Sequence, residues 1–214
     1  MQSHYLESDS GRFHYQTPET NFHNLPVAIF IHGASKKSQH TKFWAPLIDI
    51  ISSHTYPVLT DRYGHGKSTG PDDLESNTAA ITKIISTVLA DQKQDQAIVI
   101  GRSAGAYFAA QQAIDHPKMV NALGLIAPAG LSSYLSELVK LHLNLSILWD
   151  IDDPVISFSN YSKVQSSGLD HRLFTIGTFE FSSKWVDHDQ IKKSHAPELA
   201  APSLFENFLV SLVD

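Results

Sequence analysis

Ala97-Ile98-Val99-Ile100-Gly101-Arg102-Ser103-Ala104-Gly105-Ala106-Tyr107 decides how the rest of the chain is read. An apolar run of strand type, Ala97 to Ile100, meets a Gly-x-Ser-x-Gly. Phe108, Ala109 and Ala110 then extend a helix-forming run that begins at Ala106. Strand, sharp turn and helix in that order present a serine hydroxyl clear of the sheet, the arrangement of a nucleophile elbow. Gly101 and Gly105 suit it because a Cβ at either place would collide where strand and helix pass closely. The same letters also fit a Gly/Ser loop between two buried elements, so the remainder of the chain has to decide.

Outward from this stretch, apolar runs alternate with helix-patterned segments. Val27–Ile31 is continuously apolar, as strands buried on both faces are, and runs into His32-Gly33-Ala34-Ser35. Phe43–Ile51 is expected to be a helix, with Trp44, Leu47, Ile48 and Ile51 on one stripe. Tyr56–Thr60 reads as a strand and delivers Asp61-Arg62-Tyr63-Gly64-His65-Gly66-Lys67-Ser68. Asp72–Ala90 carries Leu74, Thr78, Ile81, Ile85, Val88 and Leu89 near helical spacing, with acidic residues at its start. The helix after the elbow stops at His116-Pro117. Ala122–Ile126, Leu145–Trp149 and His171–Ile176 are further strands. Leu131–Leu141 is a short helical link and Pro202–Val213 a closing helix. At the front, Tyr5-Leu6-Glu7 and Arg12–Gln16 flank Asp9-Ser10-Gly11, a hairpin signal.

This alternation predicts one domain over residues 1–214, a three-layer α/β/α sandwich on a mostly parallel sheet. In such sheets ligands bind at the carboxyl ends of the strands. His32-Gly33, Asp61 to Ser68, Ser103 and Asp153 all fall at such ends. Four histidines have a simpler reading: His14 and His23 as surface residues, His32 as a buried loop-shaping residue, and His65 as loop packing.

Composition narrows the function classes. The 214 residues have a formal net charge of −6 and no basic cluster suited to a phosphate backbone, so nucleic acid is not an expected partner. The chain has no cysteine, which excludes disulfides, thiolate metal sites and a cysteine nucleophile. The first residues lack a basic and apolar leader pattern, and no apolar run is long enough to span a bilayer. The expectation is a cytoplasmic protein with no membrane partner, cofactor or metal. No oligomeric state is legible.

With these pieces in order, the chain resembles the α/β-hydrolase fold family over nearly its whole length. The matching residues are His32-Gly33-Ala34-Ser35, Trp44, Asp61 to Ser68, Gly101-Arg102-Ser103-Ala104-Gly105, Ile126-Ala127-Pro128, Trp149 to Pro154, and Ser194-His195-Ala196-Pro197-Glu198. The family's chain order of nucleophile, acid and histidine implies Ser103, Asp153 and His195. Asp152 and Asp150 compete with Asp153, and His188 competes with His195. The residues from about Phe179 to Lys193 lengthen the interval between acid and base. The resemblance further implies an oxyanion hole from the backbone N–H groups of Ala34 and Ala104.

The implied chemistry is a capless serine hydrolase acting on a small acyl substrate, an ester or thioester. Two alternatives stay open: a non-hydrolytic enzyme on the same triad, such as a perhydrolase or hydroxynitrile lyase, and a non-catalytic binding protein on the same fold. Aspartate-nucleophile relatives, the dehalogenases and soluble epoxide hydrolases, are excluded by Ser103. Ser35, Tyr63, Arg102, Tyr107, Phe158 and Trp185 are candidates for the pocket wall. The Ile126–Leu145 interval is too short for a multi-helix cap. The polar 177–194 stretch is expected to border an open site.

Overall fold

The computed structural model describes residues 1–19, 24–34, 40–176 and 195–214. Its core is a sheet of eight strands: β1 (Gln2–Ser8), β2 (Gly11–Thr17), β3 (Val27–Ile31), β4 (Tyr56–Asp61), β5 (Ala97–Arg102), β6 (Val120–Ile126), β7 (Asn144–Asp150) and β8 (Arg172–Ile176). They lie in the order β1-β2-β4-β3-β5-β6-β7-β8. From β4 to β8 every neighbouring pair is parallel, and only the β1–β2 hairpin enters antiparallel, through β2 against β4. The expected mostly parallel sheet is therefore present, with β5 near its centre.

The period-2 alternation of strand side chains divides the core in two. Val27, Ile29, Ile31 and Val99 face α3 (Leu74–Gln92) and α4 (Gly105–Asp115), meeting Ile81, Ile85, Ala106 and Ala110. Ala28, Phe30, Ile98 and Ile100 face the other way, onto Trp44, Ile51 and the apolar side of the closing helix, Phe205, Phe208 and Leu212. Both faces of the central strands are covered, which is why those strands carry unbroken apolar runs.

The expected Phe43–Ile51 helix is broken into three pieces. They are α1 (His40–Phe43), a 3-10 turn over Ala45–Leu47, and α2 (Ile48–His54). Pro46 has no N–H to donate and is tolerated only in a first turn, so continuous helix through it is excluded. The Asp72–Ala90 helix is shifted: Asp73 caps it by accepting from Ser76 N at 2.8 Å, and Lys93 closes it in the left-handed region. Leu74, expected on the apolar stripe, is instead exposed.

The β6–β7 connection contains a 3-10 turn at Leu131–Ser133 and α5 (Leu135–Leu138). Leu131, Tyr134, Leu135 and Leu138 are buried in the core on the α3/α4 side. This connection is spent on core packing and forms no cap. The chain then passes through α6 (Tyr161–Ser167) and β8. After residue 194 it resumes with α7 (Pro197–Ala200) and the closing helix α8 (Pro202–Val213).

Candidate active site

Ser103 is held in the left-handed region at φ 52° between β5 and α4. A non-glycine residue there costs about 1–2 kcal/mol, so its surroundings must over-determine it. They do. Ser103 N donates to Ile126 O at 2.8 Å, and Ser103 O accepts from Ala106 N at 3.0 Å and Ala129 N at 3.1 Å. The two glycines are sterically required. A Cβ on Gly101 would lie 2.4 Å from Gly105 O, and one on Gly105 would lie 2.3 Å from Ile31 O.

The residues expected as acid and base meet directly. His195 Nδ1 and Asp153 Oδ2 are 2.7 Å apart, across 42 residues of sequence. Asp153 Oδ1 accepts from Val155 N at 2.8 Å and Ile156 N at 2.9 Å, which fixes the carboxylate plane. Burial pushes the Asp153 carboxyl up. The hydrogen bonds from His195 and from the backbone of Ile156 and Val155 outweigh it and hold its pKa below the ordinary aspartate value. Its rivals are placed elsewhere. Asp152 is exposed, and Asp150 accepts from Asp152 N at 2.9 Å, with burial raising its pKa. His195 Nε2, the ring nitrogen opposite Asp153, is buried and makes no hydrogen bond among the described residues. The bond from Ser103 Oγ is thus unmade, and such bonds commonly tighten only when substrate binds. His188, Trp185 and Ser35 lie outside the described residues, as does the 177–194 stretch.

The two backbone donors expected at the oxyanion, Ala34 and Ala104, line one cavity of about 370 Å³ together with Arg62, Asp72, Tyr107 and Phe108. The Ala34 N–H has its direction set from behind. Gly33 O, in the same planar peptide unit, accepts from His32 Nδ1 at 2.6 Å and from Arg62 Nη2 at 3.3 Å. His32 Nε2 in turn accepts from Arg62 N at 2.9 Å. These partners define a neutral His32 with its proton on Nδ1. Ala104 N–H belongs to the N-terminus of α4, where the helix dipole favours negative charge. A larger surface hollow of about 710 Å³, between α3 and α4, includes none of these residues.

Of the remaining expected wall residues, Tyr107 lines the cavity. Tyr63 is buried with its hydroxyl 2.7 Å from Ser8 Oγ. Phe158 packs edge-on to Trp149 and stacks on Tyr161. Arg102 turns away to Glu198, its Nε 2.6 Å from Oε1. His65 packs in its loop, Nδ1 donating to Tyr63 O at 3.0 Å. His14 is a correction. Expected on the surface, it is fully buried, with Nδ1 2.8 Å from Asp61 Oδ2. Arg62 and Glu198 fall in stretches that carry the resemblance, and Asp72 at a helix start, but sequence pattern assigns none of them a role in the site. Their roles come from contacts with segments distant in the chain, which local pattern does not encode. Among the described residues no group of three or more His, Asp or Glu is arranged to hold a metal ion.

Comparison with known proteins agrees with this architecture. The family described as alpha/beta hydrolase fold matches residues 26–207. A protein of Oryza sativa subsp. japonica named "Probable 1-acylglycerol-3-phosphate O-acyltransferase" is 28% identical over 130 residues, which is 59% of this chain and 31% of that protein. The 2-hydroxy-6-oxo-6-(2'-aminophenyl)hexa-2,4-dienoic acid hydrolase of Metapseudomonas resinovorans is 25% identical over 144 residues, 67% of this chain and 45% of that one. The chain therefore spans less than half the length of these relatives. Among solved structures, the naproxen esterase of Bacillus subtilis superposes with a TM-score of 0.72 at 14% identity, covering 100% of this chain and 91% of that one.

Proposed function

Because the chain belongs to the α/β-hydrolase fold family, we propose that it is a serine hydrolase, cleaving an ester, thioester or similar acyl bond of a small soluble substrate through Ser103, His195 and Asp153. The observation that carries this reading is the 2.7 Å Asp153–His195 bond in a chain whose elbow serine is held at φ 52°.

The mechanism follows from the chemistry of these groups. Ser103 is a weak nucleophile until a base takes its proton. His195 Nε2, without another partner among the described residues, accepts that proton as Oγ attacks the acyl carbon. Asp153 keeps the other ring proton on Nδ1 and stabilises the imidazolium without itself being protonated. The tetrahedral oxyanion is met by Ala34 N–H and Ala104 N–H, whose directions are fixed before substrate arrives. The imidazolium then gives its proton to the departing alcohol or thiol, leaving an acyl-Ser103 enzyme. Water, deprotonated by His195, cleaves that ester and restores the serine. The hydrolase and esterase names among the similar proteins support the reaction class.

Fluorophosphonate labelling followed by peptide mapping tests the reading. The expected result is one adduct, on Ser103, with p-nitrophenyl acetate turnover lost in step. A folded protein that is neither labelled nor active on any acyl ester would refute it. Product analysis with peroxide or a cyanohydrin separates hydrolysis from the same-triad alternatives.

A further inference from the structure

The residue before the nucleophile, Arg102, does not contribute to the cavity wall. It is the last residue of β5, with its backbone fixed opposite Ile126 on β6. Its side chain crosses to the segment that carries the histidine. Nη2 donates to the backbone carbonyl of His195, and Nε donates to Glu198 Oε1 at 2.6 Å. The guanidinium plane lies over the Phe43 ring, 4.5 Å from its centroid. Glu198 is fully buried, and its Oε2 has no partner among the described residues.

Placing a histidine base requires two constraints. Asp153 sets the rotation of the ring, but a ring can be rotated correctly on a backbone that sits in the wrong place. The backbone at His195 leads into the one-turn helix α7, which is too short to hold itself by helical cooperativity. We propose that Arg102 is a positioning residue: it ties the backbone of His195 to the strand end that carries Ser103, with buried Glu198 as the anchor of its fork. This inference rests on the serine-hydrolase reading of Ser103 and His195. The physical case is the planarity of the fork. A guanidinium offers two donors at fixed separation, so one side chain can grip a carbonyl and a carboxylate together. Ser103 and the backbone of His195 are then separated by a single side chain, itself pinned by the Phe43 ring. Lysine has the charge but not the fork.

Removing Arg102 alone would strand the buried Glu198 carboxylate, and the resulting instability would hide any effect on geometry. The decisive variant is therefore Arg102→Met/Glu198→Leu, which removes both charges and keeps the volume. Arg102→Lys is its companion, retaining charge and fold. Wild type and both variants are measured for kcat and KM on p-nitrophenyl acetate, for thermal midpoint, and for the rate of fluorophosphonate labelling at Ser103. The expected result is a roughly 10- to 100-fold loss of kcat and of labelling rate in the double variant, as misplacing a base by about 1 Å produces. KM and thermal midpoint should stay near wild type, with Arg102→Lys intermediate. If either variant is folded and keeps the wild-type kcat, or loses only in KM, Arg102 does not position the base. A wild-type protein unlabelled at Ser103 would instead bring down the serine-hydrolase reading, and this inference with it.

Discussion

Among the described residues, two histidine–aspartate pairs share nearly the same local geometry, and one of them belongs to the proposed site. His195 Nδ1 lies 2.7 Å from Asp153 Oδ2, and His14 Nδ1 lies 2.8 Å from Asp61 Oδ2. Both carboxylates are buried, both accept additional backbone N–H groups, and both are held below the usual aspartate pKa. The likeness goes further, because His14 Nε2 is 3.1 Å from Ser3 Oγ. Ser3, His14 and Asp61 thus form a serine–histidine–aspartate chain of contacts at the hairpin edge of the sheet. The difference lies in what surrounds the serine. Ser3 sits in regular antiparallel strand opposite Gln16, exposed, and also receives hydrogen bonds from Gln16 Nε2 at 3.3 Å and Lys67 Nζ at 3.5 Å. Ser103 is strained, heads a helix, and shares its loop cluster with two backbone donors lining a cavity. A proton relay alone activates a hydroxyl. It does not stabilise the charge that then develops on the substrate, which is usually the larger contribution.

The largest effect should separate the two serines. Ser103→Ala should lower kcat/KM for an acyl p-nitrophenyl ester by roughly 10⁴-fold or more, the residual rate reflecting binding and oxyanion stabilisation alone. Ser3→Ala should change it by less than about two-fold, since Ser3 makes none of the contacts that stabilise the oxyanion. Fluorophosphonate adducts mapped onto Ser3 would break the comparison, because the hairpin triad would then be reactive without an oxyanion hole.

The two aspartates should fail in different ways. Asp153→Asn should cost on the order of 10³- to 10⁴-fold in kcat, because an amide can donate to Nδ1 and favour the wrong tautomer. Asp61→Asn should instead appear in denaturant unfolding, by about 1–3 kcal/mol, as expected when buried hydrogen-bonding groups lose their partner. Asp61 accepts from Thr41 N at 2.9 Å and Lys67 N at 3.0 Å as well as from His14, so it fastens the hairpin, α1 and the loop after β4 to the sheet. Its kcat per folded molecule should be close to wild type. A stable, inactive Asp61→Asn protein would mean that the hairpin pair takes part in the chemistry and is more than a structural fastening.

Acid titration sharpens the same contrast. Burial pushes Asp61 up, but the hydrogen bonds from His14 and from the backbone of Lys67 and Thr41 bring its folded-state pKa below the ordinary value. A depressed carboxyl contributes stability that is fully present above its unfolded-chain pKa, about 4. That contribution is lost as pH falls through the folded value. Unfolding free energy should therefore decline below about pH 4. Asp61→Asn should flatten that decline by removing one proton-linked group. An unchanged slope in the variant would mean that Asp61 is not depressed in the folded state.

These two pairs also mark what a sequence can and cannot reveal. The elbow is legible because its demands are local: two glycines, a strand before and a helix after. Asp153 and His195 are proposed from chain order against a family pattern, and His195 Nδ1 lies against Asp153 and not against Asp152. His14 defeats the same reading because its partner is 47 residues away, and a lone histidine in a strand pattern carries no sign of a buried carboxylate waiting on β4. Arg62 escapes notice for a related reason. Its donors reach Asp72 at 2.8 Å and Gly33 O, and the orientation of the Gly33–Ala34 peptide depends on that reach. Helix boundaries slip where a proline or a capping aspartate overrides the apolar stripe. Periodicity thus gives the layers well, while polar contacts between distant loops need the folded backbone to bring them together.

The smallest expected effect concerns the hollow lined by Ala104, the residue after Ser103, as the space for the acyl or leaving group. The cavity shared by Ala34 and Ala104 is about 370 Å³ and has Tyr107 and Phe108 in its wall. That is near the lower end of small-molecule sites, roughly 300–1,000 Å³. The β6–β7 connection contributes the small residues Ala129 and Gly130 to the cavity lining, while Leu131, Leu135 and Leu138 are buried in the core. Each methylene that fits inside should gain about 0.8 kcal/mol of burial, and each one beyond the wall should gain little. In a series of p-nitrophenyl esters, kcat/KM should therefore peak at short acyl chains and fall by about 10-fold for octanoyl and longer, as crowding replaces burial. Crossing the substrate's solubility limit should produce no rise in rate, because the β6–β7 connection is committed to the core. Replacing Phe108 by Leu should move the optimum to longer chains by about one or two carbons while leaving kcat on acetate near wild type. A preference for emulsified long-chain esters would show that the working site extends well past this cavity.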